Sequence, residues 1–177
     1  FFFPSKDNSG RDIRIYKLAS RESIIQECEY SLRRLGTDYL DLYQIHWPDA
    51  TTPISETMET LQYLKEQGKI KAAGVCNYSA DQMQEATKTI SLASNQVPYS
   101  MVNRSIEKDI VPYAIKHDTA IIAYSPLQRG LLTGKIKPEH HFKEGDTREG
   151  NIFFSLENIL QVNSFLEKIK PLAADKR

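Results

Sequence analysis

A chain of 177 residues, 40% of them hydrophobic, can bury a core of its own and fits about one domain over residues 1–177, which argues against disorder. Lysine plus arginine balance aspartate plus glutamate at 23 each, so no global field draws the protein to nucleic acid or an anionic membrane. The two cysteines, Cys28 and Cys76, form neither a disulfide framework nor a metal-ligand spacing, and free, mostly buried thiols in a reducing, cytoplasmic setting are expected.

The opening "FFFPSKDNSGRD" lacks the charged and long apolar regions of a signal peptide, and no run approaches the ~18 apolar residues of a membrane span. Ser20 to Leu35 carries Ile24, Ile25, Cys28, Leu32 and Leu35 at helical spacing, with Ser20 as the cap and Gly36 as the stop. Tyr39 to His46 reads as a strand rich in aromatic and branched residues. Alternation puts Leu40, Leu42, Gln44 and His46 on one face and Tyr39, Asp41, Tyr43 and Ile45 on the other. Thr52-Pro53 predicts an N-cap and a first-position proline for a helix with the stripe Ile54, Met58, Leu61 and Leu64, ending at Gly68.

Ile70 to Val75 is the next strand, and Ser79 to Gln82 is a capping box opening a helix to about Thr89. Ser94 to Tyr99 reads as a third strand, followed by a helix from Ile106 to His117 whose Pro112 is tolerable only in the first turn or two. "TAIIAYSP" is a fourth strand. Leu132 to about Phe153 shows no periodicity and reads as a long loop, of a length that is usually functional or disordered. Phe154 to Ala174 is a final amphipathic helix.

With His46, Val75, Val97 and Tyr124 as markers, the strand ends recur at spacings of 29, 22 and 27 residues, about one βα unit each. The prediction is an α/β fold with a parallel sheet and right-handed crossovers. A closed parallel barrel needs eight strands and typically ~250 residues. Four strands therefore predict either an incomplete (β/α)8 TIM barrel of about four βα units or an unusually small α/β domain.

In both architectures ligands bind beyond the carboxyl ends of the strands. That singles out His46, Trp47, Cys76, Asn77, Gln96, Tyr124 and Ser125. A lone histidine is usually structural, but a strand-end histidine followed by a tryptophan and a chain-turning proline points to function. Trp47 divides between core filler and pocket wall, and Asn77 between turn residue and ligand amide. No G-x-G-x-x-G or Walker pattern occurs. The nearest is "SPLQRGLLTG", where Arg129 would either meet a phosphate or remain a solvated loop arginine. His140-His141 has no carboxylate at ligand spacing, so no metal site is expected.

"LRRLGTDYLDLYQIHWPD", Leu32 to Asp49, strongly resembles the aldo-keto reductase signature, and "GVCNYS", "NQVPYS" and "AYSPLQRGLLTGK" follow in that family's order and spacing. The resemblance runs from about Ser20 to the end. It implies a (β/α)8 barrel that uses NADPH, or less often NADH, to reduce small-molecule aldehydes or ketones to alcohols. On this resemblance His46 would hydrogen-bond the substrate carbonyl and Trp47 would line the pocket. Asn77 and Gln96 would hold the nicotinamide carboxamide, Tyr124 would stack on its ring, and Ser125, Leu127 and Arg129 would lie along the pyrophosphate. Cys76 stands where many relatives have serine.

The family's Asp, Tyr and Lys normally lie upstream of the signature, and no matching motif precedes Ser20. The last strand and the helix gripping the adenosine 2'-phosphate would follow Arg177. The chain is therefore expected to be the middle of a reductase, about its fourth to seventh strands. Three readings follow: a carbonyl reductase in intact form, a cofactor-sensing regulatory subunit similar to channel β-subunits, or an inactive truncated fragment. The substrate and the oligomeric state are left open.

Overall fold

The structure, a computed structural model, describes residues 17–175 and, as backbone, the strands Phe3–Lys6 (β1) and Asp12–Ile15 (β2). These two strands pair antiparallel, Phe3 opposite Ile15 and Lys6 opposite Asp12. The opening stretch Phe1 to Asp12, expected not to be a signal peptide, lies outside the described residues except for β1 and Asp12.

Helix α1 (Arg21–Leu35) begins and ends as its sequence predicts. The Ser20 hydroxyl accepts from the Ser23 amide, and Gly36 closes the helix at φ 65°, a conformation that costs a residue without a Cβ little. The chain then alternates through β3 (Leu40–Ile45), α2 (Ile54–Glu66), β4 (Ile70–Cys76), α3 (Ala80–Ala86), β5 (Leu92–Pro98), α4 (Ile110–Lys116), β6 (Ala120–Tyr124) and α5 (Leu156–Ala174). One sheet takes the order β3-β4-β5-β6, with β3–β4 and β4–β5 parallel. This is the predicted βα repetition, each new strand added beside the last. The Ser79 capping box is complete: its hydroxyl accepts from the Gln82 amide at 3.2 Å, and the Gln82 side chain accepts from the Ser79 amide at 2.9 Å.

Three local expectations change. Pro53, not Thr52, is the cap of α2, because the Thr52 hydroxyl donates to the Asp49 carboxylate at 2.7 Å. An ionised acceptor gives the stronger bond. Helix α3 stops at Ala86 rather than about Thr89, and the helix expected from Ile106 breaks into a 3-10 turn, Ser105–Lys108, and α4. Pro112 falls in the first turn of α4, where its missing amide has no helical partner to lose.

The chain forms two compact units, residues 1–97 with 105–122, and residues 98–104 with 123–177. The first packs Ile24, Cys28 and Leu32 of α1 and Met58, Leu61 and Leu64 of α2 with Ile45, Ile70 and Val75 of the strands. Fully burying a side chain such as Leu61 or Leu64 contributes about 1.5–3 kcal/mol. Both cysteines are free and buried, as expected, and burial pushes both thiols up. In the second unit Leu131, Leu132, Ile136, Phe154, Ile159 and Val162 form the core, with Phe142 and Leu166 packed against it. The aperiodic stretch after Leu132 is thus tied down by the apolar anchors Ile136, Phe142 and, at its end, Phe153. No helix among the described residues is long and apolar enough to cross a membrane.

Candidate functional site

In the first unit the parallel register aligns Gln44 of β3 with Gly74 of β4 and Ser94 of β5, and two residues further pairs Cys76 with Gln96. The Gln44 side-chain amide donates to the Ser94 hydroxyl at 3.1 Å and to the Val75 carbonyl at 3.3 Å. This bridge passes over Gly74. A Cβ there would meet Ser94 Oγ at 2.5 Å, Gln44 Cγ at 3.0 Å and Leu42 Cδ1 at 3.2 Å, so only glycine fits. Leu42 and Gln44 therefore share a face, while Tyr43 and Ile45 join the larger core, as alternation predicts; Leu40 also packs against that core.

His46 directly follows β3 and is exposed. Its ring lies 6.1 Å from that of Trp47 at a tilt of 53°, and the Lys17 ammonium stands 4.0 Å over the Trp47 ring. His46, Trp47 and Lys17 line a cavity of about 350 Å³ with Gln44, Tyr43 and residues from Leu18 to Glu27. Asn77, just past β4, adopts the left-handed conformation at φ 61°. Its side-chain amide donates to the His46 carbonyl at 3.1 Å and its backbone amide to the Gln96 carbonyl at 2.9 Å. Asparagine tolerates that conformation better than most residues. The turn role is thus present, and it bonds Asn77 to the backbone of both His46 and Gln96. Gln96 is half-buried on β5.

Three residues beyond His46, Asp49 is only 9% exposed. Its carboxylate accepts from the Ala19 amide at 2.9 Å, the Thr51 amide at 2.8 Å, and the Thr51 and Thr52 hydroxyls at 2.7 Å each. Burial pushes this acid up, but the Ala19 amide, both Thr51 donors and the Thr52 hydroxyl outweigh it and hold it at about 2. Asp49, Lys17 and the Gln44–Ser94 bridge are the groups that sequence reasoning did not single out as functional. The signal available for Asp49 was an acid next to Pro48 and two threonines.

In the second unit Tyr124 ends β6, and its carbonyl accepts from the Tyr99 amide at 3.2 Å. The loop that follows is unusually bent. Ser125 (φ 54°), Gln128 (φ 46°) and Arg129 (φ 53°) are all left-handed, and Gly130 follows at φ 100°. Such positions cost of order 1–3 kcal/mol each and cluster at functional sites. Leu127 is exposed, and Gln128 is buried, its side-chain oxygen accepting from the Ser100 hydroxyl at 2.9 Å. The Arg129 guanidinium donates to the Thr147 carbonyl at 3.3 Å and to its hydroxyl, while Arg148 donates to the Arg129 carbonyl at 3.4 Å. Asp146 clamps Arg148, whose guanidinium holds the acid well below the usual carboxylate range. The first unit thus holds His46, Trp47, Asn77 and Gln96 around the ends of β3, β4 and β5, and the second holds Tyr124, Ser125, Leu127 and Arg129 in and after β6.

A family model described as the aldo/keto reductase family matches residues 11–174. The chain is 39% identical over 160 residues to the aldo-keto reductase YhdN of Bacillus subtilis (strain 168), covering 90% of this chain and 48% of that protein. It is also 39% identical over 170 residues to the NADH-specific methylglyoxal reductase of Escherichia coli (strain K12), covering 94% and 52%. The solved structure of a glycerol dehydrogenase from Gluconobacter oxydans superposes with a TM-score of 0.88 at 38% identity, over 99% of this chain and 53% of that one. The chain spans about half the length of the curated relatives it matches.

Proposed function

The chain belongs to the aldo/keto reductase family, whose fold is the (β/α)8 barrel and whose cofactors are nicotinamide dinucleotides, and from that premise we propose that it supplies the His46 side of a reductase converting aldehydes or ketones to alcohols. Its parallel sheet with alternating helices is an incomplete barrel, which we assign to about the fourth to seventh strands of the intact protein.

One observation carries the reading. His46 sits at the carboxyl end of β3, exposed, on the wall of a cavity it shares with Trp47. That is where barrel enzymes place their chemistry. The His46 imidazole donates to the carbonyl oxygen and stabilises the charge that develops there, and Trp47 walls the substrate. When bound, a reduced nicotinamide would supply the hydride, and the proton that completes the alcohol would come from the Asp, Tyr and Lys that the family places upstream of the signature.

The donors of each unit, taken separately, suit parts of such a cofactor. Asn77 and Gln96 each bring a primary amide, the natural partner of a carboxamide. Tyr124 brings an aromatic face for the ring, and Arg129 a guanidinium suited to a diphosphate. Ser125 and Leu127 would lie along that diphosphate. Such contacts would orient the reactants, which is the protein's part in cofactor chemistry. The family resemblance implies NADPH, or less often NADH, and the Escherichia coli relative is named as NADH-specific, so the test includes both.

The test titrates NADPH and NADH into the intact protein and follows their oxidation by a model aldehyde. Turnover supports the reductase reading, tight binding without turnover a regulatory subunit, and absence of binding an inactive fragment.

A further inference from the structure

Asp49 has four hydrogen bonds, and three are local, to Thr51 and Thr52. The fourth crosses 30 residues of sequence to the Ala19 amide at 2.9 Å. The Ala19 carbonyl accepts in turn from the Thr57 hydroxyl at 3.1 Å, and Ala19 is buried. Residue 19 is therefore fixed on both sides of its Cα. Two residues earlier, Lys17 stands over the Trp47 ring, which neighbours His46. The contacts close a ring: from Trp47 along the chain to Asp49, across to Ala19, back to Lys17, and onto Trp47 again.

We propose that Asp49 is a positioning residue for the His46–Trp47 mouth: by gripping the Ala19 amide it holds Lys17 on the indole face, and so fixes the wall against which a carbonyl substrate lies. The catalytic consequence rests on the reductase reading, but the positioning itself does not. A protonated or amide side chain of the same shape is a poor substitute. Asp49 receives four donors and gives none, a pattern that only a carboxylate satisfies without turning an N–H toward another donor. The Lys17 ammonium over the ring adds a cation–π attraction that requires its chain segment to stay in place.

Trp47 is the single tryptophan of these 177 residues, so the fluorescence of the 177-residue chain reports this site without a label. The experiment measures acrylamide quenching of Trp47 in the unmodified protein, Asp49→Asn, Lys17→Met and the double variant, with far-UV circular dichroism to establish folding. Both single variants are expected to raise the quenching constant. Because Trp47 is already 39% exposed, the ratio of full to present exposure bounds the rise at about 2.5-fold. The double variant should go no further than the larger single effect, since both break the same linkage. A folded Asp49→Asn with unchanged quenching overturns the proposal, and so do effects that simply add. Should Asp49→Asn fail to fold, Thr52→Ala takes its place: it removes one 2.7 Å bond to Asp49, a smaller rise is expected, and no rise refutes the linkage. Aldehyde reduction measured on the intact protein carrying the same substitutions is a separate readout, so failure of the reductase reading would leave the quenching result standing.

Discussion

Gly74 lies in β4 beneath the point where side chains of its two neighbouring strands meet, and its replacement by alanine tests whether that junction is as tight as the structure requires. The new methyl would sit 2.5 Å from Ser94 Oγ, 3.0 Å from Gln44 Cγ and 3.2 Å from Leu42 Cδ1. Ser94 is buried and its hydroxyl is bonded to Gln44, so neither partner can yield without breaking the bridge. Overpacking of this kind costs about 1–3 kcal/mol, and loss of the Gln44–Ser94 bond about 1 kcal/mol more. Alanine returns about 0.5–1 kcal/mol of chain entropy. The net expectation is a loss of about 1–3 kcal/mol, read as a lower urea midpoint by circular dichroism at unchanged slope. In a Ser94→Ala background, which removes the nearest atom, the same substitution should cost clearly less. A Gly74→Ala protein as stable as the original, or an equal cost in both backgrounds, would refute the reasoning.

Asp49→Asn should lower stability at neutral pH by about 2 kcal/mol, the worth of a carboxylate held at about 2 against an ordinary value near 3.8. Because the folded value is the lower one, this contribution is fully present above about pH 4 and fades as the pH falls through about 2, so the gap between the two proteins' urea midpoints should close on acidification. Arg148→Ala removes the clamp on Asp146 and the bond to the Arg129 carbonyl, and limited proteolysis between residues 137 and 151 should become faster while the circular dichroism spectrum is kept.

Elements whose boundary signals are local were legible in the sequence. Helix α1 is bracketed by Ser20 and Gly36, each acting within a few residues of itself, and the Ser79–Gln82 box is likewise self-contained. The parallel sheet followed from the regular recurrence of strand ends. What escaped reading depends on partners remote in sequence. Thr52 looked like a cap, but a bond to Asp49, itself anchored on Ala19, decides its role. Gly74 looked like any strand glycine until Gln44 and Ser94 were brought over it. Ile136 and Phe142 are too isolated for any period to reveal them as core anchors. Of the candidate site, the place of His46 and Trp47 at a strand end was legible. The bond from Asn77 to the His46 carbonyl was not, because it joins turns 31 residues apart.

The most direct test of the central claim is the rate at which the intact protein oxidises reduced nicotinamide with an aldehyde, compared with its His46→Ala variant under saturating cofactor. If His46 stabilises charge at the carbonyl oxygen, turnover should fall by about 10²–10³-fold while cofactor affinity stays near that of the original. Unchanged turnover in a folded His46→Ala protein would contradict the account.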